Sequence, residues 1–269
     1  MYSISAVIFS FLQIRNGKPE RNGRNMRNLR LDLCYDGTRY KGWQRLKTAD
    51  NTIQSKLETA LSRILGETIE VTGSGRTDAG THALKQVANF HCTSGMPAAE
   101  IHAQLQKYLP EDIGIYGCKD VSERFHARLN AKTKTYCYRV WNGDAPCVFD
   151  RKYVYIHREK LDLTSMRKAA ALFIGSHDFS AFCANKHMKK STVRHISSFD
   201  ILEQDNELRF LVTGNGFLHH MVRIMVGTLL EVGRGERTAE SILELFGVER
   251  ALAGELIPSN GLCLMEVNY

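Results

Sequence analysis

Hydrophobic and polar residues alternate in several short stretches of the chain, and this spacing predicts β-strands. In the first regular stretch, 29–35, the apolar side chains from Leu29 to Tyr35 occupy every second position and so share one face. The same alternation, with its β-branched and aromatic residues, predicts further strands. These lie at 68–75, 86–92, 135–142, 195–202, 207–214 and 261–269. The segments 195–202 and 207–214 flank Gln204-Asp205-Asn206 and are expected to form a hairpin.

Helical spacing of apolar residues separates these strands. Residues 52–65 predict a helix with Asn51 or Thr52 as its N-cap and Gly66 just past its end. Further helices are predicted at 98–109 before Pro110, at 162–174, at about 217–232, and from Thr238 onwards. Interleaved strands and helices with hairpins favour an α+β fold with largely antiparallel sheet. The polar run 128–134 places a domain boundary near residue 130.

The first 27 residues differ from the rest. Residues 4–13 are apolar, but they are too short to span a bilayer, and they lack the flanking features of a secretion signal. Polar residues follow, so we expect residues 1–27 to be a tail or a mis-called start, with Met26 as the natural first residue. No apolar run reaches 18 residues, and we expect no membrane association.

Composition narrows the class of protein. Hydrophobic residues make up 43% and charged residues 24%, which is typical of a soluble globular protein. The net charge of +7 favours a nucleic-acid partner mildly, since residues 1–25 contribute +3 of it. Seven cysteines are scattered and never form a C-x-x-C pair. That pattern argues against a disulfide framework or zinc ribbon and favours the cytoplasm.

The segment GSGRTDAGTHA at 73–83 carries the most chemical information. It lacks the Lys of a phosphate loop, and Asp78 replaces the last glycine of a dinucleotide fingerprint. The chain also lacks the H-x-E and P-C-x-x-C pair of zinc deaminases. What remains is a strand ending in a tight turn that presents Arg76 and Asp78 close together. Such a carboxylate can act as nucleophile or base, or it can simply cap the turn while Arg76 pairs with it.

Several motifs occur in the order found in the tRNA pseudouridine synthase A family, which the chain resembles over roughly residues 28–269. The motifs are YDGTRYKGWQ (35–44), GRTDAG (75–80), LPEDI (109–113), FHAR (125–128), KTYCYRV (134–140), HDFSAF (177–182), GNGFLHHMVRIMVG (214–227) and GLCL (261–264). The resemblance implies isomerisation of uridine to pseudouridine at positions 38 to 40 of the tRNA anticodon stem-loop, without a cofactor. It also implies a homodimer.

The implied fold is the pseudouridine synthase fold, an α+β architecture of two ferredoxin-like halves that form a central cleft. The halves are expected at 28–130, which carries GRTDAG, and at 131–269. Departures from the family's usual residues are Thr81, Gln106 and Cys137. Gln106 and Cys137 could alter contacts with RNA, so they bear on substrate preference rather than on the reaction.

Carried over by position, the resemblance assigns a role to five residues. Asp78 is expected to be the catalytic carboxylate, and Arg76 to help displace the target base and to hold Asp78. Arg223 is expected to pair with Asp78 from the other half of the chain. Tyr136 should stack on the uracil ring, and Leu264 should supply an apolar wall.

Other residues allow alternative interpretations. His219 and His220 suggest a metal pair, but adjacent residues on a helix point about 100° apart, so no metal site is expected. Tyr138 shares a strand face with Tyr136 and could be the core residue of the two.

Basic residues of one loop are interpreted as phosphate contacts or as a solvated surface. They are Lys186, Lys189, Lys190 and Arg194. Two other functions stay open: a non-catalytic RRM-like RNA-binding module, although its aromatic RNP1 run is absent, and a small-molecule lyase or hydrolase using Asp78 with His82.

Overall fold

The computed structural model describes residues 26–48, 50–185, 188 and 190–269. The expectation for residues 1–25 therefore lies outside the described residues. Within these described residues, ten strands and four α-helices follow one another. They are β1 (Arg27–Tyr35), α1 (Ile53–Leu65), β2 (Val71–Gly73), β3 (His82–Cys92), α2 (Ala98–Tyr108), β4 (Ile113–Val121), β5 (Thr133–Trp141), β6 (Tyr155–Ile156), α3 (Leu163–Ala171), β7 (Gly175–Asp178), β8 (Val193–Gln204), β9 (Glu207–Gly214), α4 (Met221–Gly233) and β10 (Leu262–Asn268).

The strands form a single large sheet, which confirms the expected α+β class with mostly antiparallel pairing. The main strand order is β4-β1-β3-β10-β5-β9-β8-β7, with β2 added beside β3 and β6 beside β5. Only β10 with β3 and β5 with β6 run parallel among the described pairs. Strand β10 joins the two parts of the chain, since Leu264 lies opposite Ala83 on one side and Tyr136 on the other.

Local sequence signals explain several element boundaries. Leu29, Leu31 and Leu33 of β1 are fully buried, as their alternation predicted. At the start of α1, the Thr52 hydroxyl accepts the Ser55 N–H at 3.2 Å, and at its end Gly66 adopts φ 70°. Helix α2 stops at Tyr108 because Leu109 is extended before proline.

Other boundaries differ from the prediction. Helix α4 begins at Met221 rather than 217, because His220 adopts a left-handed conformation with φ 65°. The helix predicted from Thr238 is a 3₁₀ helix at Glu240–Leu245. The strand predicted at 68–75 is confined to β2, and β4 was not predicted at all.

Helices pack on the sheet in two pairs. Helix α1 contacts α2 and β2, and α2 also contacts β4, whereas α3 packs against α4 and β8. Their apolar faces and the sheet form one continuous hydrophobic core. Within the described residues, none of the helices is both long and apolar enough to cross a membrane.

Candidate active site

The GRTDAG segment forms a turn between β2 and β3, and backbone contacts with the preceding loop hold it. Trp43 donates its backbone N–H to the Thr77 carbonyl at 3.1 Å, and Gly80 donates to the Tyr40 carbonyl at 3.2 Å. Gly80 itself has φ 77°, a conformation that glycine adopts without strain. The turn therefore presents Asp78 from a backbone fixed on both sides, with 21% of its side chain exposed.

A buried polar network lies beneath this turn. Tyr35 and Thr77 share a hydrogen bond of 2.9 Å between their hydroxyls, and Gln86 donates to the Gly75 carbonyl at 3.2 Å. Gln86 also accepts from the Ser74 hydroxyl. Burial raises the pKa of Tyr35, so its phenol stays neutral. The network fixes the shape of the turn without placing a second charge beside Asp78.

Asp78 pairs with Arg223 from the start of α4. The guanidinium Nη1 lies 3.2 Å from Asp78 Oδ2, and its Nε donates to the Ile257 carbonyl at 2.8 Å. Arg223 is therefore held at two points, so its charge faces the carboxylate in a fixed direction. Arg76 is exposed and, among the described residues, it forms no ion pair with Asp78. The guanidinium that pairs with Asp78 is therefore that of Arg223, 145 residues away in sequence, and not that of the neighbouring Arg76.

Two histidines also approach Asp78. His219 Nε2 lies 3.8 Å from Oδ1, and His220 Nε2 lies 3.5 Å from Oδ2. Because His220 is left-handed and precedes α4, the two imidazole rings lie close together, with centroids 3.7 Å apart and planes tilted by 32°. The expectation that they diverge on a helix was wrong. Burial lowers the pKa of His220, which favours its neutral form.

The side chains of Asp78, His219 and His220 could hold a divalent cation, because their ligand atoms all lie within 4.8 Å of one another. A carboxylate and two imidazoles are ligands that zinc accepts. However, the guanidinium of Arg223, 3.2 Å from Asp78 Oδ2, would oppose a cation there. The two imidazoles and the Arg223 guanidinium surround the Asp78 carboxylate with side-chain nitrogen atoms at 3.2–3.8 Å.

Tyr136 and Leu264 lie side by side on β5 and β10. The Tyr136 ring packs edge-on against Phe217 with centroids 5.1 Å apart, and within the described residues its hydroxyl forms no hydrogen bond. Burial and, less strongly, the charge of Asp78 raise the pKa of Tyr136. Leu264 is fully buried. Tyr138, by contrast, donates its hydroxyl to the Pro258 carbonyl at 2.6 Å and is a core residue.

Comparisons with known proteins identify the family. A protein-family model described as tRNA pseudouridine synthase matches residues 34–130 and 169–269. The chain belongs to this family. A Bacillus cereus protein named tRNA pseudouridine synthase A 2 is 45% identical over 91% of this chain and 100% of its own length. A Clostridium tetani protein named tRNA pseudouridine synthase A 1 is 47% identical over the same shares, which confirms the resemblance drawn from the motifs.

Among solved structures, this tRNA pseudouridine synthase family member also matches the crystal structure of an archaeal box H/ACA sRNP Nop10-Cbf5 complex. The match has 16% identity and a TM-score of 0.33, and it covers 75% of this chain but only 44% of that chain. A TM-score of this size supports no conclusion about the fold.

The basic loop residues are described only in part. Lys186 and Lys189 lie outside the described residues, whereas Lys190 is exposed. Their expected phosphate contacts stay predictions.

Sequence reasoning missed Lys134, whose ammonium donates to the Ser74 carbonyl at 2.7 Å. A signal was present, because Lys134 precedes Tyr136 by two residues on a strand and so shares its face.

Proposed function

We propose that this family member isomerises uridine to pseudouridine in tRNA and that Asp78 is its catalytic carboxylate. The observation that carries the assignment is the position of Asp78. It stands in the family's GRTDAG turn, partly exposed, with Arg223 held 3.2 Å away. A fixed guanidinium stabilises the negative carboxylate, which can attack C1′ or C6 of the nucleotide or remove the ribose 2′ proton.

The chemistry fits a site built from a carboxylate and apolar walls. The N1–C1′ bond breaks, the uracil turns, and C5 joins C1′, while the hydrogen on C5 leaves as a proton and N1 gains one. Atoms and electrons balance within the nucleotide and water, so the reaction itself requires no redox cofactor. The detached uracil must be retained, and the Tyr136 ring with the buried Leu264 would provide a face and a wall for it.

Arg76 is well placed to replace the target base in its helix. It is exposed and, within the described part of the chain, free of ion pairs, while its backbone belongs to the fixed turn. Extruding a stacked base costs a few kcal/mol, and a planar guanidinium in the vacated space would offset part of that cost. Arg223 then holds Asp78, and Arg76 is left to contact RNA.

The sheet is proposed to consist of two ferredoxin-like halves, at 28–130 and 131–269, with the site in a cleft between them. The first half runs β1-α1-β2-β3-α2-β4 with strand order β4-β1-β3-β2. Apart from the short strands β6 and β7, which add beside β5 and β8, the second runs β5-α3-β8-β9-α4-β10 with order β10-β5-β9-β8. Both support the split βαβ pattern of that fold.

We further propose that the substrate region is the anticodon stem-loop at positions 38 to 40, with Lys186, Lys189 and Lys190 as phosphate contacts. The acting species is proposed to be a cytoplasmic homodimer. Seven free cysteines fit a reducing compartment. The salt dependence of tRNA binding by a triple lysine variant and the mass of the native protein in solution would test these points.

The decisive variant is Asp78→Asn, which keeps the shape of the side chain and removes its charge. With unmodified tRNA transcripts, we expect pseudouridine formation to stop. The tRNA affinity should stay within about threefold of wild type, because Asp78 is not one of the proposed phosphate contacts, which supply most of the affinity. Asp200→Asn, at an exposed position of β8, is the matched control. A wild-type protein that binds tRNA but forms no pseudouridine would favour a binding module instead.

A further inference from the structure

Lys134 lies against the catalytic turn but belongs to the other half of the chain. It sits in β5, opposite Gly214 of β9 and Val267 of β10, and its ammonium donates to the Ser74 carbonyl at 2.7 Å. A Cβ atom added to Gly75 would lie 3.2 Å from the same nitrogen. The ammonium is therefore adjacent to the residue that precedes Arg76.

In the part of the chain that the structure describes, Lys134 has no counter-charge. Within the described residues, no carboxylate lies within ion-pair distance of Lys134, and the exposed Arg128 and Arg76 form no ion pairs either. The charged group that acts on Lys134 is Arg128, and its register partners Gly214 and Val267 are uncharged. Burial, followed by the repulsion from Arg128, lowers the pKa of Lys134 to about 8.

A partly buried ammonium without an anion is unfavourable, since burial removes water that no carboxylate replaces. The contact with Ser74 uses one of its three N–H donors and leaves two for another acceptor. The two positive groups, Lys134 and Arg128, would together be stabilised by one anion. In an enzyme that takes RNA, the anion that every substrate brings is a backbone phosphate.

We propose that Lys134, with Arg128, binds a phosphate of the RNA backbone beside the target uridine. The proposal rests on the proposed function, because it takes RNA as the substrate. The phosphate contact would place the backbone next to the turn that carries Asp78. It would also draw the two halves of the chain together around the substrate, since Lys134 and the turn come from different halves.

A phosphate would favour the charged form of Lys134, so RNA binding should be coupled to protonation. In the free protein the ammonium loses its proton near pH 8, whereas in the complex it should keep it to higher pH. Binding therefore takes up a proton above pH 8. The affinity for RNA should fall as pH rises from 7 to 9, by up to about tenfold per unit.

The test compares Lys134→Met and Lys134→Arg with Lys168→Met, which removes an exposed lysine of α3. Dissociation constants for unmodified tRNA transcripts are measured across salt concentration and from pH 7 to pH 9, with circular dichroism melts to check folding. We expect Lys134→Met to weaken binding about tenfold at pH 7 and to reduce the salt slope by about one. Lys134→Arg should keep the affinity and salt slope but lose the pH dependence, and Lys168→Met should match wild type.

Two results separate this proposal from the proposed function. If Lys134→Met binds tRNA with the wild-type salt slope and pH dependence while kcat falls, Lys134 only braces the turn and the phosphate site is overturned. If wild type and the variants show the expected binding but wild type forms no pseudouridine, the phosphate site stands and the catalytic assignment fails. If Lys134→Met does not fold, Lys134→Arg decides the question. Loss of the pH dependence of its tRNA affinity supports the proposal, and a retained pH dependence overturns it.

Discussion

Replacing Arg223 by methionine removes the guanidinium that faces Asp78 and keeps an unbranched apolar side chain. Two contacts are lost, the 3.2 Å contact with Asp78 and the 2.8 Å hydrogen bond to the Ile257 carbonyl. Arg223 is 11% and Asp78 21% exposed, so both groups are mostly shielded from water. The change therefore tests what the carboxylate does without its partner.

The expected cost follows from this burial. Breaking a fully buried ion pair costs about 3–5 kcal/mol, and a hydrogen bond to a charged group contributes about 1.5–3 kcal/mol. Because water still reaches one side of Asp78, we expect the free energy of unfolding to fall by about 2–3 kcal/mol, or Tm by about 5–10 °C. Loss of the orienting contact should lower kcat about 100-fold, the usual cost of a misplaced reacting group.

Turnover can be followed with tRNA transcripts that carry tritium at uridine C5, because the new C5–C1′ bond releases it. Arg234→Met is the matched control. Arg234 lies just past α4, is 13% exposed and pairs with Glu236 at 2.7 Å. We expect it to lower Tm and leave kcat unchanged. The reasoning is refuted if Arg223→Met keeps kcat within about twofold of wild type, or if the two variants lose equal activity.

Two further predictions concern the aromatic wall and pH. Tyr136→Phe should keep the thermal stability and kcat/KM of wild type, since within the described residues the hydroxyl forms no hydrogen bond. Tyr136→Leu removes the stacking face and should lower kcat/KM at least about tenfold. Equal losses for the two variants in steady-state assays would contradict stacking. Burial lowers the pKa of His82, His157 and His220, so the unfolded chain binds more protons below about pH 6.5. Stability to urea should therefore fall as pH drops below about 6.5, and His82→Gln should reduce this slope. A slope identical to wild type would count against this.

Much of the fold follows from local signals. The buried leucines of β1 and the caps of α1 depend on residues within a few positions, so periodicity and capping rules find them. Strand β4 was not predicted, because Gly114 and Gly117 interrupt its alternation of apolar and polar residues. The start of α4 was predicted four residues too early, because the spacing of hydrophobic residues does not show the positive φ of His220.

The candidate site is harder to predict because its contacts are distant in sequence. Asp78 and Arg223 are 145 residues apart, and only the family's motifs suggested that they would meet. The approach of His219 to Asp78 depends on the left-handed backbone that follows it, and the contact of Lys134 with the turn depends on β10 aligning β5 with β3. Side-chain chemistry was readable from the sequence, but the geometry that combines it was not.

The position of β10 has a consequence for biosynthesis. Residues 262–268 emerge from the ribosome after every other strand of the sheet, and until they insert between β3 and β5 nothing joins those strands edge to edge. The two portions of the nascent chain can fold earlier, each with an open strand edge waiting for the same segment. Catalytic competence should therefore arise abruptly once β10 has emerged, and a ribosome stalled before residue 262 should carry a chain with folded parts and no activity.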